Sequence, residues 1–160
     1  MSTIAGLPAH VVLLHVVVSL VPLTAVLLVV CAVWPAARRR LIWLVVTFSA
    51  ITLLATPLTV TAGEWLVDTG KFAGSPELDA HMAAGEYGLY MALGLALATA
   101  LLTGLHVALA RGSKVGSLLR LGVAAVVIAL AGGSMLAIHT IGSTGTEAAW
   151  GSLLTEPAND

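Results

Sequence analysis

Four long stretches of the chain are hydrophobic and free of Asp, Glu, Lys and Arg: Met1 to Ala37, Leu41 to Gly63, Tyr87 to Ala110 and Leu121 to Thr146. Crossing a hydrocarbon core of about 30 Å takes about 20 apolar residues in a helix, and each stretch meets that length. Hydrophobicity runs around the whole circumference with no polar stripe, unlike the one-sided pattern of a surface helix in a soluble bundle. A segment in lipid must satisfy its own backbone hydrogen bonds, so each stretch is read as a helix. The pattern predicts helices at about 8–35, 41–64, 80–110 and 118–142, with a mobile tail at about 151–160. The fold class is therefore all-α, an integral membrane four-helix up-down bundle forming a single domain over residues 1–150.

The first stretch is not read as a signal peptide. No basic residue precedes it, and the apolar run from Val11 to Trp34 exceeds an h-region. Pro8 suits a first helical turn, where a missing N–H costs nothing. Pro22 and Pro57 fall inside helices one and two and are expected to bend them locally.

Charge placement adds orientation. Arg38, Arg39 and Arg40 lie between helices one and two, and Arg111, Lys114 and Arg120 between three and four. Lys71 is the one basic residue elsewhere, and all eight acids fall on its side of the chain. The positive-inside rule then puts the two arginine-rich segments in the cytoplasm and both termini outside. Trp34 and Trp43 flank the inner arginines, and Trp65 and Trp150 bracket the outer side, as interfacial belts do. Composition agrees: 59% of residues are hydrophobic and 9% charged, against about 25% charged in soluble domains. Mean hydropathy is +1.03. The single cysteine, Cys31, excludes an intrachain disulfide and a cysteine metal cluster. Nothing points to nucleic acid, and the expected surroundings are the lipid bilayer.

Candidate chemistry rests on five histidines. Ionisable side chains at membrane depth are costly and mark functional candidates. His10 and His15 open helix one, His81 opens helix three and His139 closes helix four, all in the outer half. His106 falls near the cytoplasmic face and is read as interfacial or packed. The same number of residues separates Trp34 from His15 and Arg120 from His139, about 28 Å at 1.5 Å per residue, which puts those two at one depth. His10 and His81 form a second tier about 7 Å further out. His15/His139 are expected on neighbouring helices, and His10/His81 on diagonal ones. His10 and His15 are about 140° apart around one helix, so they do not chelate one small ion together.

Neutral imidazole is the commonest protein metal ligand and can take both axial positions of a haem iron. Gly85 and Gly88 follow His81 at four and seven residues and clear one face. Gly132 and Met135 precede His139 on its own face, and Glu64 and Glu86 stand beside the histidines as charge-tuning or proton-relaying groups. Small residues on membrane helices also serve close helix packing. No Ser/His/Asp set, catalytic cysteine or zinc-protease motif can be assembled, so any catalysis would belong to a cofactor.

Motifs at all four outer helix ends carry a resemblance. They are Gly6-Leu7-Pro8-Ala9-His10 with His15 five later, Thr61-Ala62-Gly63-Glu64, His81-Met82-Ala83-Ala84-Gly85-Glu86, and His139-Thr140-Ile141-Gly142-Ser143-Thr144-Gly145 followed by Ala149-Trp150. Over Gly6 to about Trp150 the chain resembles the bacterial domain-of-unknown-function family twenty-two thirty-one, a four-helix membrane domain. The resemblance implies a bacterial cell membrane and a redox setting, because members are sometimes joined to or encoded beside Rieske iron–sulfur proteins. The closing motif departs from the family in its Thr140-Ile141-Gly142-Ser143 segment. The expected function is a small cytochrome b-like electron-transfer protein holding haem b through His10, His15, His81 and His139, paired as His15 with His139, His10 with His81, or both. Its expected partner is an extracytoplasmic, Rieske-like redox protein. Two alternatives remain: a copper or zinc protein using His10, His81, Glu86 and His15, and a cofactor-free accessory subunit of a membrane complex or oligomer.

Overall fold

A computed structural model describes residues 3–70 and 74–155, with side chains through Gly151. Two two-residue strands, β1 (Thr3–Ile4) and β2 (Leu7–Pro8), precede the helices α1 (Ala9–Val33), α2 (Pro35–Asp68), α3 (Pro76–Gly85), α4 (Tyr87–Ala110) and α5 (Ser117–Thr155). The strands pair antiparallel, Ile4 opposite Leu7. The two residues between them, Ala5 at φ 50° and Gly6 at φ 81°, both take the positive φ of a tight hairpin turn. Pro8 thus ends a strand, and α1 begins one residue later.

Helices α3 and α4 form one span interrupted only at Glu86, giving four spans long and apolar enough to cross a membrane: Ala9–Val33, Pro35–Asp68, Pro76–Ala110 and Ser117–Gly151. α1 packs on α2 and α5, and α4 packs on the same two, so α1 faces α4 across a diagonal. Sequential neighbours are therefore spatial neighbours, as short connections favour.

Helix ends differ from the expected ones for local reasons. Only Trp34, extended at φ −120° and ψ 98°, separates α1 from α2, because Pro35 at the first position of α2 excludes the residue before it from helical conformation. Arg38–Arg40 consequently lie in the opening turns of α2, not in a loop. α2 runs on past Glu64 to Asp68. α3 starts at Pro76, ahead of the expected 80: the Ser75 hydroxyl accepts from the Leu78 N–H at 3.2 Å, with Glu77 and Asp79 in the first turn. That is a complete N-terminal cap with acids at the positive dipole end. α5 passes through Gly142 and Gly145 as far as Thr155. Residues 151–155 of the expected tail are thus helical, and 156–160 lie outside the described residues.

Core positions repeat at alternating three- and four-residue steps. They include Val17, Val21, Leu28 and Cys31 on α1, Ile42 and Val45 on α2, Met91, Leu95 and Leu102 on α4, and Val127, Ala131 and Ile138 on α5. This is the seam of left-handed bundle packing. Leu54, Leu58, Leu93, Leu97, Leu121 and Leu136 stand exposed on the outside, far more apolar surface than a soluble monomer presents. Thr52, Thr56 and Thr59 each donate to the carbonyl four residues back at 2.8 Å, whereas the buried Thr24 and Thr103 hydroxyls have no partner among the described residues.

Candidate functional site

The core seam of each helix leads at one end of the bundle to a residue of chemical interest. Stepping back from Val17 along α1 reaches Leu14 and His10; stepping back from Met91 reaches Gly88, Ala84 and His81. Continuing from Thr59 on α2 reaches Gly63, and from Ile141 on α5 reaches Gly145. Two histidines and two glycines therefore arrive on the inward faces of the four spans.

His10 Nδ1 lies 2.9 Å from the Thr59 carbonyl oxygen of α2. A carbonyl can only accept, so Nδ1 is assigned the proton and Nε2 keeps its lone pair. The ring reaches that carbonyl because residue 63 is glycine: a Cβ there would stand 2.8 Å from His10 Nδ1 and 3.0 Å from Cε1. His81 repeats the arrangement on the other side. Its Nδ1 is 3.3 Å from Thr144 Oγ1 of α5, and that hydroxyl donates to the Thr140 carbonyl at 3.0 Å, leaving its oxygen to accept from the ring. A Cβ on Gly145 would stand 2.9 Å from His81 Cε1. Each ring is thus laid on a glycine of the next helix, and each Nδ1 is tied to that helix.

The two rings come together in an edge-on, near-perpendicular pair across the α1/α3 diagonal, with centres 6.4 Å apart and planes at 77°. Two imidazoles on opposite sides of one metal ion, each about 2.0–2.1 Å from it through nitrogen, have ring centres roughly 6.3 Å apart. Between and below the rings lies a cavity of about 220 Å³ with apolar walls that include Leu14, Val17, Val60, Leu78, Met91 and Ile138. Gly85 and Gly88 lie in its lining, and Glu64, Met82 and Glu86 stand exposed around it. The cavity is smaller than the about 300–1,000 Å³ of a closed ligand pocket.

The other expected residues are placed elsewhere. His15 is exposed, and its Nδ1 is 2.6 Å from the Val11 carbonyl of its own helix. His139 is exposed too, and among the described residues no hydrogen bond or ring contact joins it to His15. Gly132 and Met135 line a separate apolar groove between α1 and α5, with Ala25, Val26, Val29 and Ile128. His106 is half-buried near the far end of α4. Among the described residues no three His, Cys, Asp or Glu side chains converge on one point, and a zinc site takes three or four protein ligands. Thr59 had no part in the sequence reading, and Gly63, Thr144 and Gly145 entered it only as motif letters. The three-and-four core repeat leads to both glycines once the structure shows which face of each span turns inward.

The chain matches no family model, no curated protein and no solved structure.

Proposed function

We propose that this is a small multi-pass membrane protein of the cytochrome b type, with His10 and His81 as the two axial ligands of one haem. The observation that carries the reading is the paired imidazoles at 6.4 Å, each with Nδ1 tied to a neighbouring helix. What supports the group is a close pair of imidazoles, the apolar walls and the glycines in the lining. Bound there, haem b supplies one-electron exchange. The chain's own part is to hold two imidazoles in one tautomer and orientation and to keep water from the apolar side. If His10 and His81 both held the iron, no coordination position would stay open to a substrate, which would favour electron transfer over catalysis. The half-open cleft lies at the end that the positive-inside rule assigns to the extracytoplasmic side, within reach of a soluble, Rieske-like redox protein. The family resemblance belongs to the same proposal.

Protein purified after haem-replete expression is expected to show a Soret band and low-spin α and β bands on reduction. Metal without a Soret band, or no cofactor at all, would refute the assignment.

Orientation is tested separately. In intact cells, Thr3→Cys is expected to react with a membrane-impermeant maleimide and Ser113→Cys only after permeabilisation. Six of the seven basic residues lie in the two segments assigned to the inside. Labelling in the reverse order would invert the topology.

Glu86 sits at the break between α3 and α4, beside the cavity. A carboxylate there stabilises the ferric over the ferrous charge, so Glu86→Gln is expected to raise the midpoint potential. The group is exposed and partly screened, so the shift should be roughly 10–40 mV. Redox titration of the two proteins reads it, and an unchanged potential would make Glu86 a solvated surface acid.

A further inference from the structure

The opposite end of the bundle holds a buried cation with no counter-charge. Arg38, in the first turns of α2, is 7% exposed, and among the described residues its guanidinium makes no hydrogen bond or ion pair. Its nitrogens are not among the buried polar atoms left without a partner, so each keeps a path to the surface. The stem is therefore inside and the tip at the edge. Arg120, in the first turn of α5, and Arg39 are the cations close enough to act on it. Arg120 spends its Nε on the Val115 carbonyl at 3.0 Å, leaving its two terminal nitrogens.

No acid of the described chain can neutralise this group. Glu64, on the same helix, lies about 39 Å away at 1.5 Å per residue. Neither α2 nor α5 has an acid in its first turn, so two positive helix ends add to the field. With its stem held inside and its tip at the edge, the guanidinium presents donors that no acid of the described chain uses to an anion from outside the chain. Trp34 and Trp43, both exposed around this end, mark the level of lipid headgroups.

We propose that Arg38 and Arg120 bind the phosphate of an anionic phospholipid at the arginine-rich end of the bundle. The planar guanidinium forks phosphate oxygens with two parallel hydrogen bonds, and basic pockets between helices on the cytoplasmic side are where anionic headgroups settle. Arg38, held by its buried stem, sets the position; Arg120 closes on the same phosphate from α5.

The test uses the full chain with Trp65→Phe and Trp150→Phe, so that Trp34 and Trp43 report alone. It is reconstituted in phosphatidylcholine vesicles carrying dibrominated phosphatidylglycerol or dibrominated phosphatidylcholine as quencher. Half-maximal quenching is expected at about tenfold lower mole fraction of the anionic lipid, the worth of one charge-assisted pair of hydrogen bonds. Arg38→Gln should bring the two lipids within about twofold, and Arg40→Gln, at an exposed position, should keep the preference. A preference that survives Arg38→Gln overturns the proposal. So does its abolition by millimolar inorganic phosphate, which would make the site one for the free ion. If Arg38→Gln does not fold, native mass spectrometry of the unaltered chain decides: phosphatidylglycerol retained over phosphatidylcholine supports the site, and equal retention overturns it.

Discussion

Alanine at His10 or His81 should empty the proposed haem site or leave a five-coordinate, high-spin iron, whereas alanine at His15, His139 or His106 should leave the spectrum unchanged. The first two rings pair edge-on at 6.4 Å, while His15 and His139 are exposed on the outside of the bundle. Losing an axial ligand should weaken haem retention by more than the about 10–100-fold typical of a group that only supports a ligand. Absorption and electron paramagnetic resonance spectra of the five single variants make the comparison. A changed spectrum in His15→Ala and His139→Ala, with His10→Ala and His81→Ala silent, would move the site to the other tier of histidines and refute the assignment.

Gly63→Ala and Gly145→Ala should damage the same site without touching a ligand. The added methyl would sit 2.8 Å from His10 Nδ1 in one case and 2.9 Å from His81 Cε1 in the other, inside van der Waals contact. The ring is the softer partner, so it swings away and gives up its Nδ1 hydrogen bond, worth about 0.5–1.5 kcal/mol. The larger consequence is misdirection of Nε2, which should lower haem retention by about 10–100-fold. Gly132→Ala is the control, since nothing lies within 4 Å of a Cβ there. Circular dichroism separates a displaced ring from a collapsed bundle. Full haem content in both Gly63→Ala and Gly145→Ala would mean that the rings are not held by these glycines.

Much of this architecture is written along the chain. Runs without a charge, each longer than about 20 residues, correspond to the four apolar spans found. The short segments between them put consecutive helices side by side and helices one and three on a diagonal, the arrangement observed. Helix ends were read less well, since they answer to single residues: Pro35 closes the expected loop to Trp34 alone, and the Ser75 cap starts α3 early. Depth along each helix was legible too, because rise per residue is constant, and it placed His10 level with His81.

Rotation about each helix axis was not legible. A helix that is hydrophobic on every side offers no polar stripe from which to tell inward from outward, so His15 and His139 looked as eligible as His10 and His81, and Gly132 as eligible as Gly88. Run length and the position of charges, which are one-dimensional, determined by themselves the number of spans, their order and which residues share an end. Only the tertiary structure decided which face of each span turns inward, because that face is chosen by how side chains of different size interlock across the seam. Packing Val17 and Met91 inward carries His10 and His81 inward with them, over Gly63 and Gly145, and the same rotation turns His15 and His139 out.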